Sequence, residues 1–153
     1  MKNSFTIKQI GTIKRENDAI NLMIDDEYRK AMQRIEDFSH VVVFWWAHEA
    51  DNPEGRAILD CNLPYAEEIR AGVFACRSQN RPNPIAMTVC PILSVDHEKG
   101  IITVSEIDAI SDSPIIDIKV YFPVLDRVQN CSYPEWLNGW PKWMPEEGIG
   151  IFE

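Results

Sequence analysis

The stretch AGVFACRSQNRPNPIAMTVCP, residues 71–91, consists of two short apolar runs separated by a polar segment and two prolines. Pro82 and Pro84 each fix their own φ and keep the preceding residue out of the helical region. We therefore predict a stiff polar loop at residues 77–85, called the proline bracket below, between two strands. A loop whose side chains are ordered in advance is well suited to position a ligand.

The charge of the chain is unevenly distributed. The net charge is −9, yet residues 69–95 contain no Asp or Glu and carry Arg70, Arg77 and Arg81. A chain this acidic is not typical of a nucleic-acid-binding protein. The acid-free window has two interpretations. Either it is a chance consequence of strand and loop composition, or it marks a local site for an anionic group.

Length and composition indicate one globular domain. A chain of 153 residues with 45% hydrophobic residues can bury a core. No apolar run reaches membrane-spanning length, and the N-terminal residues lack the apolar core of a signal peptide. The scattered cysteines form no CxxC pair, which favours the reducing cytoplasm over a disulfide framework or a zinc site. They are Cys61, Cys76, Cys90 and Cys131.

The hydrophobic pattern is mainly that of β-structure. Apolar, β-branched or alternating runs predict strands at residues 5–14, 19–24, 41–47, 72–76, 85–95, 101–107 and 114–121. Helical spacing predicts one helix at 25–38, and residues 65–70 are interpreted as a helical turn after a loop at 51–64. So many strands are best protected by a closed or nearly closed sheet, which hides their edges.

The C-terminal segment has a different composition. Residues 122–153 hold four prolines and three tryptophans, which excludes long helices and implies packing on the barrel or on a partner subunit. We therefore divide the chain into a barrel domain at 1–123 and a tail at 124–153.

Polar side chains follow three of the predicted strands. His48 and Glu49 follow the most apolar strand, Asp108 ends another, and the bracket residues Arg77 to Arg81 end a third, the predicted strand at 72–76. If these strand ends share one rim, they surround a single cavity; the alternative is a set of unrelated turns. A metal site built from His40, His48, Glu49 and Asp51 is conceivable, but no HExxH-type spacing supports it, and we predict no metal.

Two motifs resemble a known family. The segment GVFACRSQNRPNPIAMTV, residues 72–89, resembles the signature G-V-F-A-T-R-S-x-x-R-P-N-P-I-G-x-S of the TrmO/YaeB (TsaA-like) methyltransferases. Residues 107–121, IDAISDSPIIDIKVY, resemble the family's L-D-x-x-D-G-T-P-V-x-D-I-K-P-Y, and the opening IGTIKR is similar to its first strand. The resemblance extends over residues 5–123, in a short form without the C-terminal domain of longer members.

This resemblance implies a mainly β fold, a single-sheet β-barrel with one or two short helices, usually present as a homodimer. It also implies S-adenosylmethionine as cofactor and methylation of N6 of a modified adenosine in the tRNA anticodon loop. The cofactor contacts implied by position are His48, Glu49, Arg77, Ser78, Arg81, Met87, Ile107, Asp108 and Ala109. By the same resemblance Asp117 is the candidate catalytic residue, as a polar anchor near the methyl acceptor.

The chain also departs from the family pattern. Cys76 and Ala86 replace the signature's Thr and Gly. The Pro-Arg-Gln segment that the family carries between its first two strands is missing, because residues 14–17 lead almost directly into the second strand. Two alternatives therefore stay open beside tRNA methylation, which are methylation of a small molecule and a ligand-binding barrel without catalysis.

Overall fold

The computed structural model describes residues 3–145, and six of its strands close into an antiparallel barrel in the order β1-β2-β7-β6-β3-β8. The mainly β, single-barrel fold expected from the sequence is confirmed. The barrel strands are β1 Gly11–Glu16, β2 Ala19–Ile24, β3 His40–Trp46, β6 Ile85–Asp96, β7 Ile101–Val104 and β8 Pro114–Val120. Two further strands, β4 Asp60–Leu63 and β5 Ala66–Gly72, form a separate hairpin.

The barrel interior is filled by alternate side chains of its strands. In β2 every second residue is buried, namely Ile20, Leu22 and Ile24, which is the period of a strand with one face inward. Trp45, in β3, is 2% exposed and packs in the same core. Burying each large aliphatic side chain stabilises the fold by roughly 1.5–3 kcal/mol.

The first two strands are joined by the shortest kind of hairpin turn. Glu16 pairs with Ala19, and only Asn17 and Asp18 lie between the strands, with φ of 50° and 62°. Two consecutive left-handed residues are typical of the type I′ turn, whose twist matches that of the strands. The direct connection expected from the sequence is therefore confirmed. Strand β1, however, begins at Gly11 rather than at residue 5.

The predicted helix at residues 25–38 is wrong in kind. The segment forms two 3-10 helices, Asp26–Met32 and Ile35–Asp37, separated by Arg34 in the left-handed conformation with φ of 70°. Only Met32 and Ile35 bury their side chains, so no continuous apolar stripe stabilises a longer helix. The segment covers the barrel by short turns.

Residues 51–76 also differ from the expectation. The predicted loop contains helix α1, Pro53–Ala57, capped by the Asn52 side chain, which accepts a 2.8 Å hydrogen bond from the Gly55 N–H. The predicted helical turn at 65–70 is strand β5, and the predicted strand at 72–76 is a 3-10 helix, Val73–Ala75. Strand β5 is mostly exposed and pairs only with β4, so its sequence carries little apolar periodicity.

The tail packs on the β4–β5 hairpin. The Tyr65 ring stacks on Trp136 at a centroid distance of 6.0 Å and meets Trp140 edge-on at 5.1 Å. Trp143 remains 74% exposed. The tail holds the short helix α2, Pro123–Asp126, and one 3-10 turn, Glu135–Leu137. Its final residues, 146–153, lie outside the described part of the chain.

No helix within residues 3–145 is long and apolar enough to cross a membrane.

Candidate functional site

One rim of the barrel collects the polar strand ends. Because all neighbouring strands are antiparallel, the C-terminal ends of β1, β3 and β7 lie at the same end as the N-terminal ends of β2, β6 and β8. His48 and Glu49 follow β3, the proline bracket precedes β6, and Asp108 follows β7. The structure therefore brings these three groups to one rim, as the shared-rim hypothesis requires.

The pKa of the Asp108 carboxyl is subject to opposing influences at this rim. Burial of its carboxyl raises the pKa above the ordinary 3.8, while the Arg15 guanidinium, the Thr88 hydroxyl and the Arg77 guanidinium oppose that shift. The net direction is upward, although the residue reaches solvent. Arg77 and Asp108 are thus close enough to interact electrostatically, across 31 residues of sequence.

Thr88 connects this carboxyl to the barrel interior. It faces inward from β6, is 9% exposed, and its hydroxyl accepts a 3.2 Å hydrogen bond from Trp45 Nε1. The indole N–H is a donor only, so burial of Trp45 requires such an acceptor. The hydroxyl therefore satisfies the indole and also lies near Asp108.

Arg15 is a rim residue that the sequence analysis did not single out. Its Nε donates a 3.0 Å hydrogen bond to the Ala109 carbonyl, and its Nη2 donates to the Ile107 carbonyl. These two carbonyls flank Asp108, so one guanidinium fixes the main chain on both sides of the carboxylate. The available signal was its position, since Arg15 continues the inward-facing series of Gly11 and Ile13 in β1.

The proline bracket is held by hydrogen bonds to its backbone. Arg81 donates to the carbonyls of Val73 and Cys76, the latter at 3.0 Å. Arg56, from α1, donates a 3.0 Å bond to the Pro82 carbonyl, and the Ala47 N–H donates a 2.9 Å bond to Pro84. The expected stiffness is therefore present, although a 3-10 helix and not a strand precedes the bracket.

The two arginines of the bracket differ in their surroundings. Arg77 is exposed and makes no hydrogen bond or ion pair with any residue between 3 and 145. Arg81 is half-buried, and its guanidinium is engaged within the loop. Ser78, between them, donates a 3.4 Å bond to the Asn80 carbonyl. Arg77 is thus the guanidinium available to an incoming anion.

His48 and Glu49 form a 3-10 turn directly after β3. His48 Nδ1 is buried and has no hydrogen-bond partner among residues 3–145, whereas Glu49 is exposed. Asp51 is already engaged, at 2.5 Å from Arg56 Nε and 2.9 Å from Trp46 Nε1, and both contacts lower its pKa. Within the described residues, no three His, Cys, Asp or Glu side chains form a cluster that could hold a metal ion.

Two of the expected site residues lie apart from the rim cluster. Phe44 of β3 pairs with Met87 of β6 on one side and with Asp117 of β8 on the other. All three side chains project from the outer face of the barrel. The Asp117 carboxylate is 2.7 Å from Lys119 Nζ and accepts a bond from the Ile118 N–H. The residue of β6 that faces Asp108 is Thr88 and not Met87.

Ile107 and Ala109 take part only through their main chain. Their side chains are 3% and 0% exposed and belong to the barrel core. Among residues 107–109, Asp108 therefore has the one polar side chain, and it lies between two buried neighbours.

Residues 4–127 match the family model described as the tRNA-methyltransferase O N-terminal domain. The chain belongs to this family. TrmO from Pseudomonas aeruginosa has the same fold, with a TM-score of 0.68 and 22% identity over 88% of the present chain. The match covers 62% of that TrmO chain.

The curated relatives of this chain differ in length. The chain is 37% identical over 119 residues to the S-adenosyl-L-methionine-binding protein of Archaeoglobus fulgidus, covering 77% of the chain and 81% of that relative. It is 30% identical over 135 residues to the tRNA (adenine(37)-N6)-methyltransferase of Escherichia coli, covering 86% and 57%. The chain thus spans about three fifths of the E. coli and P. aeruginosa TrmO proteins.

Proposed function

We propose that the chain is an S-adenosylmethionine-dependent methyltransferase that binds its cofactor at the rim formed by Arg77, Asp108 and His48. The names of its archaeal and E. coli relatives support this cofactor and this reaction. The observation that carries the proposal is the exposed Arg77 guanidinium, unpaired within residues 3–145, at the rim that also holds the Asp108 carboxylate. A zwitterionic amino-acid end group is complementary to such a pair of opposite charges.

The residues present fit the functional groups of this cofactor. Arg77 offers a bidentate donor for the methionine carboxylate, and Asp108 with Glu49 offers acceptors for the ammonium group and the ribose hydroxyls. His48 Nδ1 is a buried polar atom without a partner in residues 3–145, which a bound ligand would satisfy. Ser78 and Arg81 serve this site by holding the bracket, and Ile107 and Ala109 serve it by holding the Asp108 turn.

The cofactor supplies an electrophilic methyl group on a sulfonium. The protein's task is to hold the acceptor nitrogen in line and to exclude water, which is mainly a matter of positioning. We propose N6 of an adenine in tRNA as the acceptor, by similarity to the E. coli relative. The alternative is a small-molecule acceptor, favoured by the net charge of −9 and by the β1–β2 turn, which has only two residues and so contributes no segment to the rim. A third candidate, a barrel that binds the cofactor without catalysis, would show binding alone.

A homodimer is part of this proposal. The outer barrel face after the bracket carries exposed apolar side chains in β6, with Ile85 39% and Met87 37% exposed, and Asp117 lies on the same face. Burial of this face against a second copy would remove apolar surface from water. Dimerisation would also bring the outer-face residues Met87 and Asp117 close to the rim of the second copy. Within a single copy these two residues lie apart from the rim. A cytoplasmic location is consistent with four free cysteines.

Isothermal titration with S-adenosylmethionine, followed by incubation of total tRNA and a metabolite extract with methyl-labelled cofactor, tests these statements. Label in tRNA adenine supports the leading proposal, and label confined to small molecules supports the alternative. Binding without any transfer identifies the non-catalytic barrel. Absence of binding at millimolar cofactor refutes the proposed function.

A further inference from the structure

Two thiols lie in contact beside the proline bracket. Cys61 Sγ, in β4, and Cys76 Sγ, after the Val73–Ala75 turn, are 3.7 Å apart although 15 residues separate them. Both side chains are partly accessible. The other two cysteines are elsewhere, Cys90 buried in the barrel core and Cys131 exposed in the tail. The contact therefore joins the β4–β5 hairpin to Cys76, the residue immediately before Arg77.

The pair is built into the support of the bracket. The Cys76 carbonyl accepts the 3.0 Å bond from Arg81 that orders the loop. Ser78 follows Arg77 in the chain, and its hydroxyl lies close enough to the Cys61 sulfur to interact with it. Any movement of the Cys76 main chain is consequently transmitted to Arg77 and to the Arg81 hydrogen bonds.

We propose that Cys61 and Cys76 are a disulfide-forming pair, and that the bond between them displaces Arg77 and weakens ligand binding at the rim. The oxidant is a low-molecular-weight disulfide such as oxidised glutathione. One protein thiolate attacks a glutathione sulfur and releases one glutathione, giving a mixed disulfide. The second protein thiol then attacks the mixed disulfide and releases the second glutathione. One protein disulfide is formed while one glutathione disulfide is reduced to two thiols, so electrons and protons balance.

The geometry gives the direction of the effect. A disulfide requires a sulfur–sulfur separation of about 2.05 Å, well below the contact of the reduced pair. The two sulfurs must therefore approach each other by more than an ångström, through rotation of the two side chains together with adjustment of the Cys76 main chain. Because Cys76 directly precedes Arg77, we expect this adjustment to shift the guanidinium, and a shift of about 1 Å at a binding group lowers its effectiveness strongly. Burial raises the pKa of Cys61, so exchange is slow near neutral pH and accelerates as the pH rises. Burial also raises the pKa of Cys90 to about 12, which keeps this thiol unreactive.

Peptide mapping tests the bond itself. In a Cys131→Ser background, which removes the exposed thiol, oxidised glutathione should link the tryptic peptides 57–70 and 71–77. Cys61→Ser in the same background should give only glutathionylated Cys76. If peptides 57–70 and 71–77 stay unlinked under conditions that glutathionylate Cys131 in the unmodified sequence, the proposal is refuted.

The effect on ligand binding rests on the proposed function, and a second readout keeps the two separable. Calorimetry should show the oxidised protein binding S-adenosylmethionine at least about tenfold more weakly, with recovery after dithiothreitol and no change on oxidant treatment in a Cys61→Ser, Cys76→Ser double variant. Unchanged affinity of the fully linked protein overturns the displacement of Arg77. If the reduced protein binds no cofactor, the proposed function fails, whereas peptide linkage and altered hydrogen exchange across residues 77–84 still decide the thiol pair.

Discussion

Arg15 Nε donates a 3.0 Å hydrogen bond to the backbone carbonyl of Ala109, joining the end of β1 to the turn after β7 across 94 residues of sequence. A second bond from the same guanidinium to Ile107 means that the position of Asp108 depends on a residue that does not adjoin it in the chain.

Arg15→Ala should weaken S-adenosylmethionine binding by about tenfold, because two part-buried hydrogen bonds to the carbonyls around Asp108 are lost, each contributing about 0.5–1.5 kcal/mol. Arg15→Lys keeps the charge but cannot span both carbonyls, so it should restore only part of the affinity. Calorimetry on both variants measures this. Lys14→Ala, which removes only the exposed pair with Asp112, is the control and should change affinity less than twofold. Equal losses in Arg15→Ala and Lys14→Ala would contradict the positioning role.

Arg77→Ala and Arg81→Ala should separate binding from stability. Arg77 is exposed and unpaired within residues 3–145, so its removal should leave the melting temperature within about 1 °C while abolishing detectable cofactor binding. Arg81→Ala leaves the Val73 and Cys76 carbonyls without their donor and should lower stability by about 1–3 kcal/mol. Thermal melts and calorimetry on the same samples test both. A destabilised Arg77→Ala, or a fully stable Arg81→Ala, would reverse the assignment.

Asp108→Asn should raise the melting temperature at neutral pH. Folding raises the pKa of Asp108 above 3.8, so the native state favours the protonated carboxyl, and its ionised form opposes folding once the pH exceeds that value. Asparagine removes this opposition, and the gain should be about 1–2 °C at pH 7 because the carboxyl is partly solvated. The gain should vanish as the pH falls towards 3.8. Scanning fluorimetry from pH 4 to 8 measures the difference, and a variant less stable than the parent at pH 7 would contradict it.

Thr88→Val should destabilise the barrel by about 1–3 kcal/mol, because Trp45 Nε1 then stays buried without an acceptor. Thr88→Ser, which keeps the hydroxyl, should recover most of this loss. Urea unfolding monitored by tryptophan fluorescence compares the two variants. A valine variant that is as stable as the serine variant, or more stable, would contradict the role of the hydrogen bond, because valine keeps the methyl group and loses only the hydroxyl.

The predictable part of the fold is the part with strict periodicity. Strand β2 was placed at its observed bounds because Ile20, Leu22 and Ile24 alternate with half-exposed residues. Strand β5 could not be recognised, since its pairing with β4 depends on a tertiary contact and its faces are both largely solvated. The helical spacing near Met32 was real, but Arg34 adopts a left-handed conformation that local propensity does not foretell.

The site was predictable where it followed from strand ends. The convergence of His48, Arg77 and Asp108 follows from antiparallel topology once the strands are known. The sequence does not predict Arg15 and Thr88 as site residues, because a polar side chain at an inward-facing strand position is recognised only after the strand register is known. The separate roles of Arg77 and Arg81 depend on hydrogen bonds that no spacing rule contains.

The Asn17–Asp18 turn makes the β1–β2 hairpin an insertion point for engineering. Both ends of the turn are fixed by the paired strands, so an added segment would extend over the rim without disturbing the six-strand closure. A library of inserts at this position would vary the acceptor that reaches the rim while the cofactor-facing residues stay constant. The barrel could in this way serve as one scaffold for several methyl acceptors.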